Sequence, residues 1–391
     1  MTLHREEYSE YHEPTKDTLE LARGNRKHLP SPYEVFMQEE NIPIYKGRGF
    51  SDCRNLTLGS WKRLGGQGAF IELDGQAGFW GIYLLEVPAG GVLNPERHIY
   101  EEVFVVIEGR GSTEAWREGS SKKQSFEWQP WSRFSIPLNV NHRLVNATSS
   151  PALVIVFTTA TPLMEAFPNR RFMFENPFEF TERFNENEDY FKPSDELVAT
   201  ESGLAAVRSN LIPDLNRCYL PLANYRGAGH RRIEAHMAGN TYFRGNHIAE
   251  YAVGRYSVAH YHSGGKIIFC LKGKGYTYNW PVEVGKRPWE AGKGHLVERM
   301  DYVAGGIVSA APGGGNWWHQ HFGCGTDTFR EMSMGQTIGN ISSGDGGEGT
   351  AGHSIAYYEE DPFIRKEYEK MIAKDGIKLS IPEDLYKAPA A

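Results

Sequence analysis

Two stretches of the chain alternate apolar and polar residues with the two-residue period of a β-strand. The first runs from about Leu56 to Thr161 and contains FWGIYLLEV, EEVFVVIEG and ALVIVFTT. The second runs from about Ala235 to Met334 and contains IAEYAVGRYSV, KIIFCLKGKGYTYNW and DTFREMSM. Short glycine-rich turns separate the strand-like segments. The pattern therefore predicts an all-β protein with two antiparallel domains.

The remaining segments are expected to flank and connect these domains, which we place at 55–165 and 235–340. Residues 1–54 are predicted to form an extended arm, and the linker 166–234 is predicted to contain a helix within 196–215. Residues 341–391 begin with a glycine-rich loop. A helix should follow, with Asp361 as its N-cap, Pro362 in its first turn and Gly376 at its end.

Composition limits the classes of function. A chain of 391 residues is long enough for two domains. Its net charge of −7 argues against nucleic acid as the main partner. No apolar run is long enough to span a bilayer, and the four cysteines form no CxxC pair. We therefore expect a reduced, cytoplasmic protein that is not attached to a membrane.

The two β regions repeat one spacing of residues. His98 is followed by Glu102 and Gly109, and His262 is followed at the same intervals by Lys266 and Gly273. Each region then ends with a proline-containing turn and a histidine, which is His142 in the first region and His319 in the second. An internal repeat of this kind predicts two copies of one domain.

These motifs resemble those of the cupin superfamily, G(x)5HxH(x)3–4E(x)6G and G(x)5PxG(x)2H(x)3N. In the second region, Gly254 leads to His260-Tyr261-His262, with lysine in the glutamate position, and PGGGNWWHQHFG supplies His319. In the first region, ERHIYEEVFVVIEG matches except that Glu96 replaces the first histidine. The resemblance covers roughly 80–160 and 250–335. It implies a bicupin, in which two jelly-roll (double-stranded β-helix) barrels are joined by a short helical linker and followed by a C-terminal helix.

Three histidines of the second region form the preferred metal site. Residues two apart on a strand point to the same side, so His260 and His262 project together and His319 can join them. A site of neutral imidazoles suits Fe(II), with Mn, Ni or Zn as alternatives. Lys266, in the place of the usual glutamate, speaks against a manganese site of the oxalate decarboxylase type. It either faces solvent or binds an anion near the metal.

Two further sets of residues are candidates for chemistry. His321 lies on the same strand face as His319 and is a fourth ligand, a substrate-binding or acid–base residue, or part of the barrel wall. In the first region, a weaker metal site consists of Glu96, His98, Glu102 and His142.

The resemblance implies a metal-dependent enzyme acting on a small organic acid. The WWHQHF segment is similar to the second motif of ring-cleaving gentisate dioxygenases and of diketone-cleaving cupins with three histidines. The leading hypothesis is an Fe(II) dioxygenase that uses O2 to cleave a C–C bond in an aromatic or enolisable acid, with Lys266 and His321 as catalytic residues. The alternatives are a non-oxidative decarboxylase, isomerase or lyase, and a metal- or ligand-binding protein without catalysis. The resemblance also implies a homo-oligomer.

Overall fold

The computed structural model describes residues 30–76, 78–200, 203–224, 226–237, 246–261, 266–314, 316–335 and 354–389. Strands dominate these ranges, and they form two successive β-barrels, each built from a large and a small sheet. This confirms the predicted fold class, an all-β chain of two tandem jelly-roll barrels. Among the described residues, no helix combines the length and apolar character needed to cross a membrane.

The N-terminal barrel has an eight-stranded sheet in the order β1-β4-β5-β11-β6-β9-β14, with β3 paired to β4, and a three-stranded sheet in the order β10-β7-β8. Strands are numbered along the chain. Those of this barrel are β1 Ile44–Gly47, β3 Gly59–Trp61, β4 Gly66–Leu73, β5 Gly81–Val87, β6 Glu102–Glu108, β7 Gly111–Trp116, β8 Gln124–Trp128, β9 Arg133–Ile136, β10 Asn141–Val145, β11 Ala152–Thr158 and β14 Leu211–Ile212.

The C-terminal barrel has an eight-stranded sheet in the order β12-β13-β15-β16-β23-β18-β21-β2 and a five-stranded sheet in the order β20-β19-β22-β17-β24. Its strands are β2 Gly49–Phe50, β12 Leu197–Ala199, β13 Ala205–Arg208, β15 Arg231–His236, β16 His247–Tyr251, β17 Ala259–His260, β18 Ile267–Lys272, β19 Lys274–Pro281, β20 Glu298–Val303, β21 Ile307–Ser309, β22 Trp317–Gly323, β23 Phe329–Met334 and β24 Ser354–Ile355.

Four α-helices lie outside the barrels in the described part of the chain. They are α1 Pro32–Glu39, α2 Ala160–Ala166, α3 Arg170–Phe174 and α4 Pro362–Ala373. Single 3-10 turns occur at Cys53–Asn55, Val282–Val284, Gly294–Leu296 and Glu383–Tyr386.

The internal repeat has a direct structural counterpart. Strand β6 corresponds to β18, and each leads through a tight turn into the small sheet of its barrel. The turn glycines, Gly109 and Gly273, adopt nearly the same left-handed conformation, with φ of 84° and 83°. A Cβ atom at either position would also approach backbone atoms of the facing turn within 2.8 Å. Both copies therefore require glycine there.

The two large sheets pack against each other, so the barrels share one apolar layer. On β6, Val103 and Val105 point into this layer, while Glu102 and Phe104 point into the N-terminal barrel. On β23, Met332 points into the shared layer. The alternation of side chains along a strand then directs Glu331 and Ser333 into the C-terminal barrel. Each barrel interior is thus a separate compartment.

Two predictions outside the barrels are wrong. Residues 32–39 of the expected extended arm form α1, which a capping box starts: the Ser31 hydroxyl accepts from the backbone of Glu34, and the Glu34 carboxylate accepts from the backbone of Ser31. The described residues of 196–215 contain no helix, and the strands β12, β13 and β14 lie in this range. The helix of the linker is α3 instead, at Arg170–Phe174. The three strands gain backbone partners in the two large sheets, and this tertiary pairing overrides the weak local helical preference.

The C-terminal helix α4 follows the prediction. Asp361 caps it by accepting a hydrogen bond from the backbone N–H of Phe363 (3.0 Å), and Gly376 beyond it has a φ of 72°. The other carboxylate oxygen of Asp361 accepts from the backbone of Trp289 (2.7 Å) and Glu290 (2.9 Å). This residue therefore ties the helix to the C-terminal barrel. The glycine-rich loop predicted to precede the helix lies outside the described residues up to residue 353.

Replacing Asp361 should loosen the tail. Asp361→Ala removes a helix cap and leaves two further backbone N–H groups without an acceptor, so we expect a loss of about 1–3 kcal/mol in unfolding free energy. Chemical denaturation measures this loss. Asp384→Ala, at an exposed position of the same tail, is the matched control and should change stability by less than about 0.5 kcal/mol. Equal effects of the two substitutions would contradict the role assigned to Asp361.

Candidate metal centres

Three segments of the N-terminal barrel bring four ligating side chains together. Glu96 lies in the loop before β6 and pairs through its backbone with His142 on β10, at N–O distances of 3.0 and 2.9 Å. Glu102 is the first residue of β6 and points inward, and His98 lies between Glu96 and Glu102. The ligand atoms of Glu96, His98, Glu102 and His142 all lie within 4.8 Å of one another. The structure thus assembles the whole of the weaker site proposed from the sequence.

The distances in this cluster suit one ion. Nε2 of His98 lies 3.0 Å from Oε2 of Glu102, and Nε2 of His142 lies 3.7 Å from Oε1 of Glu96 and 3.9 Å from Oε2 of Glu102. Ligand atoms bound at about 2.1 Å and at right angles around a first-row metal are about 3 Å apart. Small side-chain movements would therefore complete a coordination sphere.

The two imidazoles are oriented to present Nε2. Nδ1 of His98 lies 2.9 Å from the carbonyl oxygen of Tyr100, and Nδ1 of His142 lies 3.1 Å from that of Val140. A carbonyl only accepts, so each Nδ1 carries a hydrogen. Nε2 of His142 then offers a lone pair, whereas Nε2 of His98 donates its hydrogen to Oε2 of Glu102 and would offer a lone pair once a metal ion replaced that proton. Nε2 of His142 is buried without a hydrogen-bond partner. A divalent cation fits this donor set because it would satisfy that atom and neutralise two buried carboxylates.

The electrostatics of the cluster depend on the balance of burial and charge. Burial lowers the pKa of His98, but the opposing effect of the charges on Glu102 and Glu96 is larger in sum. The pKa of His98 therefore lies above its usual value. Burial dominates at His142 and lowers its pKa. Burial would raise the pKa of Glu96, but Arg63, His142 and His98 hold it below its usual range. In addition, Oε1 of Glu102 accepts a hydrogen bond from the hydroxyl of Tyr83 at 2.7 Å.

In the C-terminal barrel, two of the three proposed histidine ligands meet. His260 on β17 and His319 on β22 are direct partners in the strand register, and their Nε2 atoms lie 2.9 Å apart. Each Nδ1 faces a backbone carbonyl, that of Val258 at 3.4 Å and that of Trp317 at 3.3 Å. With Nδ1 protonated on both rings, two lone pairs converge, which requires a proton or a metal ion between them. His262, the third proposed ligand, lies outside the described residues.

His321 lies beside this pair in a buried hydrogen-bond chain. Its ring centroid is 5.6 Å from that of His319 and 6.4 Å from that of His260. Its Nδ1 lies 2.8 Å from the hydroxyl of Thr277, which lies 2.8 Å from the hydroxyl of Tyr302. Burial, assisted by the charge of Arg226, lowers the pKa of His321 to about 3. His321 is therefore a neutral side chain whose Nδ1 is already engaged.

Glu331 is a candidate that sequence reasoning missed. It points into the C-terminal barrel from β23, and its Oε2 lies 4.0 Å from Nδ1 of His321 without a hydrogen-bond partner. Burial raises the pKa of this carboxyl to about 8, so it keeps its proton at neutral pH. The available sequence signal was a glutamate in the strand-like segment FREMSM.

Lys266 stands immediately before β18 and is half-buried. Its backbone carbonyl accepts from the backbone of Ala310 (3.0 Å) and from the side chain of Gln76 (2.9 Å). Its aliphatic stem and Nζ pack closely on the backbone of Gly335. Its charge acts on the barrel interior, because burial, Arg232 and then Lys266 lower the pKa of His247 far below its usual value. Lys266 was predicted either to face solvent or to bind an anion near the metal, and its half-buried position is compatible with binding an anion.

The interiors of the two barrels differ in chemistry. The apolar cluster inside the N-terminal barrel is large and rich in aromatic side chains such as Phe70, Phe104 and Phe134. The apolar cluster inside the C-terminal barrel is small. Most of the other inward positions of the C-terminal barrel carry polar or ionisable side chains: Arg232, Glu234, His247, His260, Thr277, Asn279, His319, His321, Glu331 and Ser333.

No protein-family model matches this chain, and no curated protein matches it. Among solved structures, an oxalate decarboxylase from Bacillus subtilis is similar over 74% of this chain and 77% of its own, with 10% identity and a TM-score of 0.44. Vicilin from hazelnut, Corylus avellana, is similar over 74% of this chain and 85% of its own, with 12% identity and a TM-score of 0.43. Vicilin from tomato, Solanum lycopersicum, matches over 70% and 81%, with 13% identity and a TM-score of 0.41.

The protonated state of Glu331 predicts a pH-dependent stability. The folded carboxyl keeps its proton up to about pH 8, whereas the unfolded chain releases it near pH 4.5, so folding takes up a proton between these values. The contribution of Glu331 is fully present below pH 4.5 and is lost as pH rises through 8. Because glutamine never ionises, Glu331→Gln should gain stability relative to wild type between pH 5 and pH 9.

Thermal unfolding across that pH range measures the difference. Glu182→Gln, at an exposed position, is the control and should follow the wild type throughout. If the gap between Glu331→Gln and wild type does not change with pH, Glu331 is ionised in the folded protein at neutral pH.

Proposed function

We propose that this protein is a metal-dependent enzyme that acts on a small organic anion inside its C-terminal barrel. The observation that carries the proposal is the polar interior around His260 and His319, whose Nε2 atoms converge to 2.9 Å. In the N-terminal barrel, apolar side chains fill most of the space around the four-residue cluster, whereas the C-terminal barrel has only a small apolar cluster. Buried ionisable groups gathered beside a candidate metal site are instead typical of a reaction site.

Both centres are proposed to hold a divalent metal, with different tasks. Glu96, His98, Glu102 and His142 would bind one ion within an apolar surround, where it stabilises the fold. His260 and His319, with His262, would bind the second beside the polar chamber. The first donor set, with two carboxylates, suits Mn(II), Fe(II) or Zn(II), whereas an imidazole set also suits Ni(II).

Positive charge near the chamber supports an anionic substrate. Arg226 acts on His230 and His321, and Arg232 and Lys266 act on His247, in each case lowering the histidine pKa after the larger effect of burial. A carboxylate entering the barrel would therefore meet a positive potential. Arg226 and Lys266, whose charges act on His321 and His247, are the proposed substrate contacts.

Proton transfer is the chemistry that the surrounding side chains support best. Glu331 lies 4.0 Å from His321, which is linked through Thr277 to Tyr302, so a proton donor and a chain of hydroxyl groups border the same space. A metal bound at the histidines would supply Lewis-acid activation of a carbonyl or carboxylate group. This combination favours the non-oxidative decarboxylase, isomerase or lyase over the O2-dependent cleavage of a C–C bond, which stays a prediction.

Metal content should separate the two centres. We expect metal in both barrels of the wild type, loss of the N-terminal ion in Glu102→Gln, and loss of the C-terminal ion in His260→Ala, because each change removes a ligand. Elemental analysis of protein purified without added metal, and again after reconstitution, is the measurement. Glu114→Gln on the outer face of β7 and His295→Ala at an exposed position are the matched controls. Full metal content in His260→Ala would overturn the C-terminal centre.

Dependence on O2 distinguishes the two types of reaction. With a panel of hydroxy, keto and aromatic acids, we expect turnover of a substrate at an equal rate in air and under argon. Glu331→Gln should lower the turnover number by roughly 10²–10⁴-fold because it removes the proton donor. An oxygen electrode and product analysis provide the readout. Turnover that stops under argon and consumes O2 with substrate would instead establish the dioxygenase.

A further inference from the structure

The second carboxylate of the N-terminal centre has a dedicated partner in Arg63. Nη1 of Arg63 donates to Oε2 of Glu96, while its Nε donates to Oε2 of Glu40 at 2.8 Å. The other oxygen of Glu96, Oε1, is the one that faces His142. Arg63 therefore occupies one carboxylate oxygen and leaves the other directed into the cluster.

The guanidinium group of Arg63 is held from several sides. It lies over the rings of Trp61 (5.1 Å), Phe36 (5.7 Å) and Phe174 (5.3 Å). Phe36 belongs to α1 and Phe174 to α3, so both helices outside the barrel close on this arginine. Cation–π contacts of this kind fix the plane of a guanidinium group.

A chain of alternating charges continues from Arg63 to the surface. Glu40 accepts from Arg63, from the indole N–H of Trp61 and from Nη2 of Arg170 at 2.8 Å. Burial would raise the pKa of Glu40, but Arg63, Trp61 and Arg170 keep it below its usual range. The order is therefore Arg170, Glu40, Arg63 and Glu96, and it ends at the cluster.

We infer that Arg63 is the positioning residue of the N-terminal centre, holding Glu96 as a single-oxygen ligand and balancing its charge. The inference rests on the proposed metal site. Glu96 and Glu102 together bring two negative charges to the ion, and Arg63 returns one positive charge. The assembled centre then has the charge of a site with a single carboxylate ligand. Without Arg63, two carboxylates buried within 4.8 Å of each other would repel, and Glu96 could turn away.

The test is the metal affinity of four variants that keep all four ligands. Zn(II) and Mn(II) dissociation constants are measured by competition with a chromogenic chelator, in a His260→Ala background so that only the N-terminal centre binds. We expect Arg63→Met to weaken binding by about 10–100-fold, as loss of an outer partner of a metal ligand typically does. Arg63→Lys should fall between Arg63→Met and wild type, because lysine keeps the charge but cannot contact both carboxylates in one plane.

Two further variants separate positioning from stability. Glu40→Gln removes the far anchor of Arg63 and should weaken binding by a smaller factor in the same direction. Arg143→Met breaks an ion pair with Glu114 on the outer face of the same barrel and should leave the affinity unchanged. Apo-protein melting temperatures are recorded in parallel. Lower melting temperatures with unchanged metal affinity in both Arg63→Lys and Glu40→Gln would overturn the inference.

Failure of the metal site itself gives a different result. If the His260→Ala background binds neither ion, or if adding Glu102→Gln leaves its affinity unchanged, the N-terminal site is wrong and the inference falls with it. If the background binds metal, loses it with Glu102→Gln, and is indifferent to Arg63→Met and Arg63→Lys, the site stands and only the role of Arg63 is wrong.

Discussion

The cost of burying charge inside a β-barrel determines how both halves of this protein are built. An ionised carboxylate taken out of water needs a partner charge, several hydrogen bonds or a proton. In the N-terminal barrel, Glu96 has Arg63 as its partner, and Glu102 has the hydroxyl of Tyr83 and the imidazole of His98. In the C-terminal barrel, Glu331 lacks such partners and retains its proton instead. The interior of the N-terminal barrel therefore contains paired carboxylates, and that of the C-terminal barrel contains a protonated carboxyl group.

The back-to-back packing of the large sheets allows the two interiors to diverge. The shared layer between the barrels contains residues such as Val105, Ile233 and Phe269, and it supplies apolar burial to both halves at once. The C-terminal barrel also packs α4 and the tail against the outer face of its small sheet, through Trp280, Phe322 and Tyr368. With apolar surface buried on both outer faces, the interior of this barrel is less needed for stability and can carry polar groups.

The sequence predicted local and periodic features more completely than long-range ones. Strand alternation, the repeated glycines Gly109 and Gly273 and the cap of α4 each follow from residues close together in the chain, and each is present. The capping box of Ser31 and Glu34 is equally local, but Pro30 and Pro32 beside it favoured the prediction of an extended segment. The strands at 197–212 form only because distant sheets offer partners. Likewise, Arg63 contacts Glu96, which lies 33 residues further along the chain, and Glu331 lies near His321 on a different strand of the barrel. The spacing of residues in the sequence does not reveal either contact.

Two substitutions within the repeat account for much of the contrast between the centres. At the position where the second copy has His260, the first has Glu96, and where the first copy has Glu102, the second has Lys266. The N-terminal cluster consequently combines two carboxylates with one arginine, a balance that favours tight retention of a cation. The C-terminal site combines neutral imidazoles with nearby cations, so a metal bound there would keep its full charge. An anionic substrate would neutralise that excess positive charge, which a carboxylate supplied by the protein would otherwise reduce.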